Sequence, residues 1–100
     1  MAFETILTPE LIDAYTQQGY WTDRTITDHL DDAAARTPDK VAYVDSRRQV
    51  TFAGLRAEVD RFAAGLLELG ITPGDVVSFQ VPNWIEWVVI HLGVSRIGAV

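Results

Sequence analysis

Apolar residues recur along this chain with a spacing that switches between helical and strand periods. Thr8-Pro9-Glu10 offers an N-cap, a first-turn proline and a first-turn acid, and Leu11, Ile12 and Tyr15 follow on one face before Gly19. The pattern predicts a helix of about two turns, too short to persist without docking. Tyr20-Trp21 comes next without periodicity, and two large aromatics there are expected to anchor the arm to a domain surface. Thr25 with Asp28 forms a capping-box pattern ahead of a narrow stripe of Ile26, Leu30, Ala33 and Ala34. Thr37-Pro38 ends that second helix, because proline disfavours helical geometry at the residue before it.

Val41–Val44 is a β-type run, Asp45–Gln49 a polar turn and Val50–Phe52 a short return strand, together a hairpin. Leu55, Val59, Phe62, Ala63, Leu66 and Leu69 then recur at three- and four-residue steps, predicting a third helix. Gly70 stands where a left-handed residue closes a helix, with Ile71 folding back on Leu66. Thr72-Pro73-Gly74-Asp75 fits a type II turn. Val76–Val81 is apolar at nearly every position, as buried parallel strands tend to be.

After Pro82, Asn83 is the expected cap of a fourth helix, with Glu86 as its reciprocal partner. That helix is apolar almost all round from Trp84 to Ile97, so protein should cover most of its sides. Gly98 ends it, and Ala99-Val100 opens what reads as another strand. Strand, crossover helix and second strand make a parallel βαβ unit. A half-uncovered fourth helix would expose an apolar patch that monomers rarely tolerate. The expectation is therefore that residues 25–100 are the first portion of a larger α/β domain, truncated before its second parallel strand, with residues 1–24 as an arm. The partner for the apolar helix is then the remainder of its own chain or a second copy.

Composition changes the picture chiefly by exclusion. The chain has 100 residues, 8 basic against 14 acidic, a net charge of −6 and no cysteine. Phosphate neutralisation needs clustered basic residues, which disfavours nucleic acid and anionic membrane surfaces as partners. The absence of thiols removes disulfides, thiolate metal sites and cysteine nucleophiles. No run is long enough for membrane insertion and the start lacks a basic signal region, so a soluble, cytoplasmic protein is expected.

Candidate chemistry is sparse. There is no glycine-rich phosphate loop and no dinucleotide fingerprint. Gly93-Val94-Ser95-Arg96-Ile97 resembles a nucleophile elbow, but the second glycine arrives one residue late, at Gly98, and the serine falls inside a helix. Asp28, His29, Asp31 and Asp32 could suggest a metal, yet they fit an acidic first turn that complements the helix dipole. His91 is expected to be buried or pocket-lining with one hydrogen bond. Trp84 and Trp87 fit core packing, and they are the candidates for the wall of an apolar substrate pocket. No catalytic, cofactor-binding or metal-ligating residue is assigned.

Three ordered blocks then carry a resemblance. Val50-Thr51-Phe52-Ala53-Gly54-Leu55 with Val59–Leu66, Leu69-Gly70-Ile71-Thr72-Pro73-Gly74-Asp75-Val76-Val77, and Val81-Pro82-Asn83 with Arg96-Ile97-Gly98-Ala99-Val100 resemble the early part of the acyl-adenylate-forming, AMP-binding enzymes. Tyr15–Trp21 is similar to the arm of short-chain, medium-chain and cyclohexanecarboxylate acyl-CoA ligases, and aryl-acid adenylating enzymes of siderophore pathways carry a similar arm. Gly54 stands where the family has glutamate, so Thr51 lacks a capping-box partner, a loss of about 0.5–2 kcal/mol at that helix start.

The resemblance implies an ATP-dependent ligase that joins a small carboxylic acid to CoA through an acyl-adenylate, using ATP, CoA and Mg2+. Its catalytic residues lie beyond this stretch, so the segment itself is expected to be scaffold without activity. An aryl-acid adenylating enzyme that loads a carrier protein is the alternative. A reading of a different class is a self-associating interaction module built on the apolar fourth helix.

Overall fold

A computed structural model describes residues 5–100. In chain order these form α1 (Pro9–Gln17), α2 (Ile26–Arg36), β1 (Val41–Val44), β2 (Gln49–Thr51), α3 (Phe52–Glu68) and α4 (Ile85–Arg96). The helices and the small sheet make an α/β arrangement, and no helix among the described residues is long and apolar enough to cross a membrane.

The first three helices begin as their sequences dictate. Thr8, Thr25 and Thr51 each accept a backbone N–H with the side-chain oxygen, from Leu11, Asp28 and Gly54 respectively. At Thr25 the box closes, since Asp28 Oδ2 accepts the Thr25 N–H at 2.8 Å. At Thr51 only the 3.1 Å bond from Gly54 N is made, because glycine has no side chain to return it. The third helix closes on the expected Schellman bonds, Ile71 N to Leu66 O at 3.1 Å and Gly70 N to Leu67 O at 3.0 Å.

β1 and β2 are antiparallel, pairing Tyr43 with Val50 and Val44 with Gln49, with a bulge between Val41 and Tyr43. The return strand ends at Thr51, and Phe52 already belongs to α3. α2, α3 and α4 pack around Leu30, Val50, Leu55, Val59, Ile85, Val89 and Leu92, with Phe52 and Phe62 against them. At Gly93 the Phe62 ring of α3 packs against the backbone of α4: a Cβ there would stand 2.5 Å from Phe62 Cδ1, so only glycine admits the ring. The same glycine that opens the elbow-like stretch is thus a packing residue. Ser95 lies within α4 and donates to His91 O at 2.9 Å.

Several expectations are corrected. Leu69 is the C-cap of α3 and is 80% exposed, because the helix turns its stripe away at its last residue. Ile26 is exposed while Thr27 is buried, so the inner face of α2 is rotated by one residue at its start. Among the described residues the arm aromatics meet a ring of the arm itself rather than rings of the body. Tyr20 and Trp21 pack on Tyr15, at ring distances of 6.3 and 5.3 Å, and α1 buries none of its residues.

The largest correction concerns residues 76–81, which form no buried strand. Val76 is 70% exposed, and burial alternates, with Val77, Phe79 and Val81 half-covered. A strand needs neighbours to bond its backbone, and among the described residues only Val100 lies alongside. Val100 N donates to Asp75 O and Val77 N donates to Val100 O, both at 2.8 Å. That alternation places Val100 opposite Val76 in the parallel sense, with α4 as the crossover. The turn before it takes part too, since Gly74 N donates to Gly98 O at 2.8 Å.

Candidate functional site

The cap of α4 is not Asn83. The N-cap residue is Trp84, which makes no side-chain cap bond, and Glu86 turns elsewhere. The donor at Ile85 N is instead taken by Asp45 Oδ2 at 2.9 Å, from the hairpin turn forty positions upstream. Asp45 Oδ1 accepts from Arg47 N at 2.7 Å and Arg48 N at 2.9 Å, which is what folds the turn. One carboxylate therefore ties hairpin and helix together. These bonds, with the Ile85 amide first among them, hold the Asp45 carboxyl down at about 2 from its ordinary value of 3.8.

The same turn supplies two guanidinium groups. Arg47 lies with its Cζ 3.9 Å from the centre of the Trp84 ring and is ion-paired to Glu86. Arg48 makes a bidentate pair with Glu58 of α3 at 2.7 and 3.0 Å, which lowers the Glu58 pKa. Glu86 is thus an electrostatic partner of the hairpin rather than a capping-box residue.

Around this junction lie two hollows, and the tryptophans border them. Trp84 and Trp87 are 38% and 42% exposed, so neither is the core residue that one reading of the sequence expects. A hollow of about 200 Å³ opens between the hairpin and the start of α4, bordered by Tyr43, Asn83, Trp84 and Trp87. A larger one, about 410 Å³, has core residues as its floor and Tyr43, Phe52, Trp87, His29 and His91 around it. Trp87 borders both, edge-on to Phe79 at 5.7 Å and stacked on His91 at 5.2 Å. His91 is half-buried and pocket-lining, as expected, but its ring is held by stacking on Trp87 and not by the expected hydrogen bond, none being made by its side chain among the described residues.

The acidic stretch of α2 is dispersed among separate tasks. Asp28 closes the capping box, Asp32 pairs with Arg24, and His29 borders the larger hollow. Asp31 takes a bidentate bond from Arg96 of α4 at 2.7 and 2.8 Å, and Arg96 also reaches Asp60 of α3 at 3.2 Å. One guanidinium so joins three helices, and it lowers the Asp31 pKa. The isolated charges of the sequence carry no sign of this clamp, although Arg96 stands in the Arg96-Ile97-Gly98-Ala99-Val100 block quoted above.

Among the described residues no group of three or more His, Asp or Glu side chains comes together to hold a metal ion. The carboxylates of Asp28, Asp31, Asp32, Asp45, Glu58 and Glu86 are all engaged with N–H or guanidinium partners. These residues do not fit a magnesium–nucleotide site.

Comparison with known proteins agrees in kind. A family model described as AMP-binding enzyme matches residues 30–100. The chain is 40% identical over 88 residues to a medium-chain fatty-acid–CoA ligase of Escherichia coli K12, covering 87% of this chain and 16% of that protein. It is also 40% identical over 92 residues to a salicyl-AMP ligase / salicyl-S-ArCP synthetase of Mycobacterium tuberculosis, with the same coverage of 87% and 16%. Among solved structures, the apo structure of Mycobacterium smegmatis MbtA is 42% identical and superposes with a TM-score of 0.90, covering 96% of this chain and 18% of that one. The chain thus spans a small share, 16%, of the curated relatives named here.

Proposed function

The chain belongs to the AMP-binding enzyme family, and from that premise we propose that it is scaffold from an ATP-dependent acid–thiol ligase. In that reaction a carboxylate displaces pyrophosphate from ATP, with Mg2+ balancing the phosphate charge, and a thiol then displaces AMP to leave a thioester. The observation that carries the reading is the family match across residues 30–100, which takes in all three motif blocks from Val50 to Val100. CoA is the proposed thiol, on the likeness to the medium-chain ligase.

The residues described here hold α2, α3 and α4 in place, and the remainder of the ligase covers the exposed face of α4 and the hollows beside it. Trp84 and Trp87 are proposed as a wall against the apolar body of the acid. A carrier-bound phosphopantetheine is the second acceptor reading, favoured by equal identity, 40%, to the salicyl-S-ArCP synthetase.

The experiment is pyrophosphate release from ATP by the full-length protein, with medium-chain, alicyclic and aryl acids in parallel, followed by trapping with CoA or a phosphopantetheinyl carrier. Release with at least one acid and none from residues 1–100 alone is expected. No release with any acid would overturn the ligase reading. A thioester formed only on the carrier would replace CoA by the second acceptor.

A further inference from the structure

We propose that the apolar face of α1 is seated on the part of the ligase chain that follows Val100, so that the arm braces α2 against it; this rests on the ligase reading above, which supplies the longer chain. Leu11, Ile12 and Tyr15 share one face of α1, while Asp13 and Gln17 lie on the other. No residue of that helix is buried, and Leu11 and Ile12 are 39% and 41% exposed. A helix of nine residues is too short to persist in water by itself, so a face left this open lacks its partner.

The arm is nonetheless held in place, by features that leave Leu11 and Ile12 free. Gly19 turns the chain at a φ of +74°, and Tyr20 N and Trp21 N both donate to Tyr15 O, at 3.0 and 3.3 Å. The rings of Tyr20 and Trp21 then lie against that of Tyr15, and Arg24 pairs with Asp32 of α2. The helix is thus aimed by its own turn and tethered to the body by a polar pair.

The superposition on the MbtA structure favours the rest of the chain as the occupant. Residues 5–24 are about a fifth of this chain, and a TM-score of 0.90 over 96% of it leaves no room for that share to lie elsewhere. The arm therefore has the same place in a molecule of which the matched stretch is only 18%. A second copy is disfavoured by size, because a stable interface takes roughly 800 Å² from each partner and this short face offers a small part of that. Within one chain the tether supplies the effective concentration, and a small contact suffices. A membrane surface is disfavoured by charge, since α1 carries Glu10 and Asp13 and no basic residue.

The test introduces a photoreactive side chain into the full-length protein, as Ile12→benzoylphenylalanine or, on the opposite face, Asp13→benzoylphenylalanine. Irradiation should join position 12 to a peptide from beyond Val100 of the same molecule, with a yield roughly fivefold above that from position 13. Coupling to residues 25–100 or to a second molecule, equal yields from the two positions, or no coupling at all would overturn the assignment.

Hydrogen exchange checks the same contact without a label. Ile12→Gln should speed exchange of the α1 amides roughly tenfold while those of α3 keep their protection, and Asp13→Gln should change them by less than about twofold. Unchanged α1 exchange in Ile12→Gln overturns the docking. Neither readout involves turnover. Coupling beyond Val100 without any pyrophosphate release would overturn the ligase reading alone, and release without coupling would overturn the docking alone.

Discussion

The starts of α2 and α4 solve one problem in opposite ways. Each must satisfy backbone N–H groups that the helix itself leaves unpaired. α2 does so within four residues, Thr25 and Asp28 bonding each other's backbone. α4 has no side-chain cap of its own and takes Asp45 from the hairpin. The first arrangement can form as soon as the local turn does. The second waits until a long loop has closed, which costs chain entropy before the bond is gained. A local cap stabilises its own helix, whereas the remote cap also reports that hairpin and helix are assembled.

The sharpest way to break this contrast is Asp45→Ala. It should expose the amides of Ile85, Arg47 and Arg48 to hydrogen exchange together and lower the unfolding midpoint more than any threonine cap does. Separate loss at only one of the two elements would show that they are not coupled. Gly93→Ala tests the packing that α4 depends on once capped. Its Cβ would meet the Phe62 ring, and overpacking of this kind costs about 1–3 kcal/mol. Phe62→Leu in the same chain should recover part of that loss, as read from denaturant midpoints.

Thr25→Ala should cost about 1 kcal/mol, with increased exchange confined to the first turn of α2. Gly54→Glu supplies the missing partner of Thr51 and a better helix former, worth about 0.5 kcal/mol, and a gain in thermal midpoint would show it. The new Cβ stands 3.2 Å from Thr51 Oγ1 and Val50 Cγ2, so those groups must yield slightly and the net gain is small.

The smallest effect at ordinary pH is that of acid. Asp45 is held at about 2 in the fold against 3.8 ordinarily, so it is ionised in both states above that value and its stabilisation is complete there. Stability falls only as pH drops from about 4 through 2, and exchange at Ile85 followed over that range should track the loss. A transition nearer neutrality would mean that another group controls the start of α4.

Much of the fold was legible in the residues themselves because its signals are short-range. Thr8, Thr25 and Thr51 with the apolar stripes behind them located three helices, and Gly70 with Ile71 closed the third. Asn83 misled because capping residues are recognised by type, and an aspartate elsewhere in the chain can reach the same donor. The junction was legible only as Trp84 and Trp87. Asp45 and Arg47 stood only as members of a polar turn, and Arg96 as one residue of a family block, until their partners were brought to them.

What the sequence alone determined is therefore the set of helices, the hairpin, the turn at Pro73-Gly74 and the membership of a family whose blocks lie in order. These follow from backbone preferences and side-chain periodicity within a few residues. Tertiary structure decided the cap of α4, the clamp of Arg96 on Asp31 and Asp60, the closeness of Gly93 to Phe62, and the state of residues 76–81. Each of these is a pairing between distant positions, and a backbone or charged group takes whichever partner the packing of other elements delivers.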